Sequence, residues 1–229
     1  MPRRFAIADI HGCDRTFAAL LEKIDLRSED HLYLLGDYVD RGPRSAQVIQ
    51  RILDLLDAGY RIQALRGNHE QFMVNALADR NKRPLWYRAG GRGTRASYVA
   101  PGNPKGKVLP RHREWLETLP YYILLPDYVL VHAGLNFRRR DPLKGRKAML
   151  NARHYYHKIN DEWLGRRLIV HGHTPTTRTV IERSVDPAVA IYPAIDIDAG
   201  CTHRRPGMGH LCALNLDDRS LTFVPNTDR

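Results

Sequence analysis

The stretch Gly36-Asp37-Tyr38-Val39-Asp40-Arg41-Gly42 packs two carboxylates and an arginine into one turn. It follows an apolar run, 32–35, that reads as a short buried strand ended by a glycine. Carboxylates this close repel unless positive charge lies between them, so the turn suits a metal ion. For such a motif met alone, a solvated acidic turn is the competing explanation. Three further stretches argue against it: Asp9-Ile10-His11-Gly12, Gly67-Asn68-His69-Glu70 and Val170-His171-Gly172-His173-Thr174. Each follows a strand-like apolar run and can deliver oxygen or nitrogen ligands to one edge of a sheet. The four together predict a dinuclear metal site.

Hydrolysis of a phosphate ester at neutral pH needs a nucleophilic water, charge stabilisation on the phosphoryl oxygens and a proton for the departing oxygen. Two metals about 3.5–4 Å apart, sharing one hydroxide, supply the first and part of the second. Asparagine, histidine and carboxylate donors without thiolate suit manganese, placed first, or iron or zinc. The planar fork of Arg41 matches phosphate oxygens and makes it the candidate clamp.

The elements that must position these groups alternate at first. A strand over 4–8 leads into Asp9, and Phe17, Leu20, Leu21 and Ile24 follow at helical spacing. Pro43 suits the start of a second helix, whose stripe Val48, Ile49, Ile52, Leu55, Leu56 stops at Gly59. A strand over 61–65 delivers Gly67-Asn68-His69-Glu70, and a third helix starts near Glu70. This order implies parallel strands with ligands gathered at their carboxyl ends. From 80 to about 110 the pattern dissolves, and 88–94 reads as a loop. A short helix over 114–119 is closed by Pro120, and 121–131 is a hairpin about Pro126-Asp127 ending at His132-Ala133-Gly134. A helix around 148–156 follows, then a strand over 168–170. The remainder reads as β: 178–181, 191, 194–197, 211–216 and 221–224. Two stacked sheets with helices outside are expected. They form one domain over 1–229, with 80–120 as a loop-and-helix insertion near the site mouth.

Composition bounds the partners. The 36 Lys+Arg against 25 Asp+Glu give a formal charge of +11, which favours an anionic partner: phosphorylated protein, a small phosphate ester or a nucleotide. The run Arg138-Arg139-Arg140 reads as a solvated loop. A nucleic-acid-binding module with structural metals is the rival from another class, but such a site has no use for the spare His69. Cys13, Cys201 and Cys212 form no paired framework, which points to a reducing compartment. No apolar run is long enough to span a bilayer. A cleaved leader would remove Asp9 with it, so a cytoplasmic protein is expected.

Taken in order, Asp-x-His-Gly, Gly-Asp-x-x-Asp-Arg-Gly, Gly-Asn-His-Glu, His132-Ala133-Gly134 and Gly-His-Thr resemble the phosphoprotein-phosphatase branch of the calcineurin-like metallophosphoesterases. More narrowly they resemble the small bacterial serine/threonine phosphatases. The likeness runs from Asp9 to about Gly200 and implies a four-layer αββα sandwich. It implies Asp9, His11 and Asp37 on one metal, with Asp37, Asn68, His132 and His173 on the other. Thr174-Pro175 stands where many relatives start a further histidine, leaving the first metal with fewer protein ligands. His69 resembles the family's general acid, with Asp40 fixing its ring. A second phosphate-binding arginine is implied, for which Arg153 is the candidate and Arg146 or Arg88 the alternatives. Asp198, in an Asp-Ala-Gly variant of the usual Asp-Thr-Gly, either orients a ligand histidine or caps a turn. The function implied is a metal-dependent phosphomonoesterase, a serine/threonine protein phosphatase first. A dinucleoside polyphosphate hydrolase of the diadenosine-tetraphosphatase type is the rival, and it would need a second, nucleotide-sized pocket.

Overall fold

Three short apolar runs near the N-terminus become β1 (Arg4–Ile7), β2 (His31–Leu34) and β3 (Arg61–Ala64), parallel neighbours with Ile7 opposite Leu34 and Leu34 opposite Ala64. In the computed structural model, which describes residues 1–228, β8 (His210–Asn215) and β9 (Leu221–Pro225) extend this sheet antiparallel on the other side of β1. The strand order is β3-β2-β1-β8-β9. A second sheet runs β4 (Tyr122–Leu124), β5 (Tyr128–Val131), β6 (Leu168–His171), β7 (Ala194–Asp196). Its first pair is the expected hairpin, and β5, β6 and β7 are parallel.

Strand alternation builds the layers. Ala6, Tyr33, Cys212 and Leu214 point from the first sheet onto Ile123, Leu130, Val170 and Ile195 of the second. The opposite face of the first sheet, with Ile7, Leu34 and Ala213, receives helices α1 (Asp14–Lys23), α2 (Ser45–Asp57) and α3 (Asn68–Ala78) through Phe17, Leu20, Ile49, Ile52 and Met73. Outside the second sheet, Val129, Val131 and Ile169 pack under Met149, Tyr155 and Leu164. This is the expected αββα sandwich. Among the described residues no helix is long and apolar enough to cross a membrane.

Four places differ from the sequence expectation. Residues 80–97 are helical, not a loop: a 3₁₀ turn Arg80–Lys82, α4 (Arg83–Trp86), a π-type turn Tyr87–Gly91 and α5 (Arg92–Ser97). The next helix, α6, runs Pro110–Thr118. The helix expected over 148–156 is α7 (Arg146–Asn151), which stops as Ala152 turns extended and His154 adopts φ 53°. A single turn, α8 (Asp161–Leu164), precedes β6. Residues 178–181 are not a strand but the start of α9 (Arg178–Val185). Only Ile181 of its first turn is buried, so the run faces inward at helical rather than alternate spacing, and Arg178 pairs with Glu182 one turn on. Ile191 lies outside any strand.

His112 of α6 is buried, accepting from the Tyr98 hydroxyl at Nδ1 (2.9 Å) and donating from Nε2 to Gln50 (2.9 Å). Burial, with Arg111 nearby, lowers its pKa to about 4. The unfolded ring takes its proton first as pH falls, so this group leaves stability flat above about 6.5 and erodes it from there down to about 4. The slope from one such ring approaches about 1.4 kcal/mol per pH unit. A His112→Gln protein should be less stable at pH 7.5 yet lose stability less steeply across that window. Chemical denaturation at several pH values measures this, and parallel curves would contradict it.

Candidate metal centre

Every predicted site residue except Arg153, which follows α7, lies at or just beyond the carboxyl end of a strand. β1 presents Asp9 and His11; β2 presents Asp37, Asp40 and Arg41; β3 leads to Asn68 and His69 at the start of α3. From the second sheet β5 presents His132 and β6 presents His173. The backbone there is unusual. Asp9, His11, Asp37, Asp40, Arg41 and His173 all have positive φ, between 48° and 72°. Six side chains thus leave the loops in a left-handed conformation that non-glycine residues seldom adopt, a hallmark of residues fixed for function. Gly172 is required by close approach, since a Cβ there would sit 1.9 Å from Asp9 Oδ2.

Asp37 is at the centre. Its Oδ2 lies 3.5 Å from His11 Nε2 and its Oδ1 3.4 Å from His132 Nε2. His11 Nδ1 donates to the Val39 carbonyl (2.9 Å) and His132 Nδ1 to the Leu35 carbonyl (2.9 Å), so both Nε2 atoms carry lone pairs into the site. Asn68 Oδ1 lies 3.0 Å from both His132 Nε2 and His173 Nδ1. Asp9 Oδ2 accepts from the His173 backbone N–H at 2.9 Å, and its Oδ1 lies 3.9 Å from His11 Nε2. Burial lowers the pKa of His11 and His132, and takes His173 to about 3, so the rings are neutral. Burial and the neighbouring Asp198 and Asp37 carboxylates raise Asp9. His11 Nε2 is buried with no hydrogen-bond partner. Lone pairs facing oxygens across a buried space fit a pair of cations, with Asp37 able to touch both.

His69 differs. Its Nδ1 donates to Asp40 Oδ2 (2.8 Å), and Arg41 Nη2 donates to its Nε2 (3.2 Å). Burial lowers its pKa, but Asp37 and the Asp40 hydrogen bond outweigh that and raise it overall. Its Nε2 is 3.9 Å from Asp37 Oδ2, close enough to join a ligand set with His11. A guanidinium beside that nitrogen disfavours a second cation there and favours an anion, such as a phosphate oxygen, between the two. Arg153 is exposed on the other flank, 3.4 Å from the His173 carbonyl and from Thr174 Oγ1. Arg146 instead lies over the Tyr121 ring. His171 Nε2 accepts from Tyr156 (2.8 Å) and stays out of the cluster.

Three contributors escaped sequence reasoning. Trp86 Nε1 (3.1 Å) and Thr94 Oγ1 (2.5 Å) both donate to Asp40 Oδ1, locking the carboxylate that orients His69. The Gly90-Gly91 pair was the available signal: at Gly90 (φ 121°) a Cβ would lie 2.7 Å from Arg41 N, and one at Gly91 would enter the Trp86 ring. Glu70 accepts backbone N–H groups of Asp37 and Tyr38 (2.8 Å each) and Gly67 (2.9 Å), tying the β2 and β3 exits together. Asp198 caps a turn through Gly200 N (2.9 Å) while its Oδ2 is buried without a partner; no hydrogen bond joins it to a ligand histidine.

Burial and Asp37 push Glu70 up to about 7, so the clamp is ionised at pH 8. Glu70→Gln puts an amide nitrogen against backbone donors. At pH 8 it is expected to cost about 1–3 kcal/mol of stability and to weaken metal binding about 10–100-fold. A melting curve and a metal titration check this, and wild-type values in both would refute the clamp.

The model of the family described as calcineurin-like phosphoesterase matches residues 3–199. A symmetrical bis(5'-nucleosyl)-tetraphosphatase of Nitrosomonas europaea is 30% identical over 57% of this chain but only 44% of its own length. The chain therefore spans less than half of that relative. An asymmetrical bis(5'-nucleosyl)-tetraphosphatase of Anoxybacillus flavithermus is 27% identical, covering 96% of this chain and 93% of its own. Among solved structures, a proposed diadenosine tetraphosphatase superposes with a TM-score of 0.67 at 20% identity, covering 100% of this chain and 97% of that one. With the family match running through all the metal-site loops, the chain belongs to the calcineurin-like phosphoesterases.

Proposed function

We propose that the chain is a dinuclear metal-dependent hydrolase of dinucleoside polyphosphates, cleaving a phosphoanhydride bond. The observation that carries the metal-dependent part is the division of the Asp37 oxygens between the His11 and His132 lone pairs. The substrate class is supported by the relatives, which bear the tetraphosphatase name both in the partial match and in the nearly full-length one. The serine/threonine phosphatase reading, placed first from the motifs, therefore moves to second place. The motifs serve both chemistries equally.

Two divalent ions, when bound, would supply an activated water and neutralise phosphoryl charge. Asp9, His11 and Asp37 would hold one; Asp37, Asn68, His132 and His173 the other. Arg41 would leave His69 Nε2 to grip phosphate oxygens with both prongs of its fork. Freed of Arg41, His69 Nε2 can hold a proton for the departing oxygen while Asp40 keeps the ring oriented. Arg153 would face the same anion from the His173 side. The test offers metal-reconstituted protein diadenosine tetraphosphate beside phosphoserine, phosphothreonine and phosphotyrosine peptides. The dinucleotide should have the highest kcat/KM, and preference for a phosphopeptide would restore the monoesterase reading.

A further inference from the structure

A cavity of about 310 Å³ opens between β7 and α9, with Tyr156, Val180, Ile191, Tyr192 and Asp196 on its walls. It is outside the metal centre but adjoins it. Asp196 ends β7 in register with His171 at the end of β6, two residues before His173. Tyr156 holds His171 through its hydroxyl and lies 5.5 Å, ring to ring, from Tyr192. Arg153 lies 3.4 Å from the His173 carbonyl, and Tyr156, three residues on, lines the cavity, so this short stretch joins the metal ligands to the cavity. Arg183 adds a second cation at the wall.

The walls specify an occupant. The volume is at the small end of ligand sites and suits one heterocycle with its sugar. Val180, Ile191 and Tyr192 are 52%, 81% and 43% exposed, large apolar surface that no described residue covers. Tyr192 offers a face on which a flat base can stack. Asp196 Oδ1 accepts from the Asp198 backbone N–H at 3.0 Å, while Oδ2 is 3.9 Å from His171 Nδ1, beyond hydrogen-bond reach, and can face an exocyclic amino group. Arginines on the way in match a phosphate chain. We propose that this cavity binds the amino-bearing base of a nucleoside polyphosphate whose phosphates reach past Arg153 to the metal centre. This deepens the proposed function and rests on it for the identity of the full substrate.

The test uses metal-loaded protein, with AMP and inorganic phosphate as competing inhibitors of nitrophenyl phosphate hydrolysis. Both inhibitors offer phosphate to the metals, and only AMP offers a base. In the wild type AMP should inhibit about tenfold more tightly than phosphate. Tyr192→Ala, which removes the stacking face, and Val180→Trp, which fills the cavity from its exposed rim, should each abolish that advantage. Neither should alter nitrophenyl phosphate turnover or inhibition by phosphate. AMP no tighter than phosphate, or an advantage surviving both variants, overturns the base site. Turnover of diadenosine tetraphosphate is read separately. Its absence, with the AMP advantage present and lost in the variants, removes the proposed function and leaves the base site standing. Equal loss of AMP and phosphate inhibition in both variants would mean damage to the metal centre, and would also overturn the assignment.

Discussion

Asp37→Asn protein should retain fewer than two metal equivalents after desalting and show no measurable hydrolysis. Among the described residues Asp37 is the one side chain with an oxygen toward each histidine ring set, at 3.5 Å from His11 and 3.4 Å from His132. Asparagine keeps the shape, and the backbone N–H of His69 can still be accepted by its carbonyl oxygen. The second oxygen, however, becomes an NH₂ group that turns donors toward a cation position. Supporting residues around metal ligands are already worth about 10–100-fold in affinity, so loss of a shared ligand should exceed that at both positions. Elemental analysis gives the count. Two full equivalents in the mutant would show that Asp37 does not bridge.

His69→Asn is expected to produce a loss that depends on the leaving group. With Asp40 holding Nδ1 at 2.8 Å, the ring can offer a proton only through Nε2. General acid catalysis contributes about 10²–10⁴-fold where the departing oxygen is strongly basic, as in an alkyl phosphate. Nitrophenolate leaves readily, and so does a phosphate chain released from an anhydride, so losses on those substrates should be much smaller. Both metals should remain bound. His173→Asn should instead depress all substrates together by disturbing the site they share. A plot of log kcat against leaving-group pKa, taken where chemistry limits, should be steeper for His69→Asn than for wild type. Parallel lines would rule out the general-acid role and leave His69 as a further ligand candidate beside His11 and Asp37.

The metal-site loops were legible because chemistry dictates their residue types and strand ends dictate their places. Oxygen and nitrogen donors such as Asp37, Asn68 and His132 are among the few side chains suited to a hard or borderline cation, and each follows an apolar run that announces itself. The supports were far less visible. Trp86 and Thr94 reach Asp40 across 46 and 54 residues of sequence, and apart from the Gly90-Gly91 pair between them no local pattern marks contacts of that span. Local preference also misled at Thr179-Val180-Ile181, a β-branched run that favours a strand. The burial of Ile181 alone, with an ion pair one turn on, decides for a helix. Substrate class lay beyond the motifs altogether, since they encode the reaction at phosphorus and not what hangs from it.

The left-handed backbone of the site has a consequence for how such a protein changes over generations. Arg41, at φ 67°, occupies a conformation that costs a residue bearing a Cβ on the order of 1 kcal/mol relative to glycine. Most proteins stand only slightly above the stability they need. A duplicate copy released from selection for hydrolysis would therefore drift first at these loops, where glycine or asparagine relieves the backbone, while its layered core held. The reaction is the least durable thing about the molecule, and the sandwich that carries it would outlast its loss.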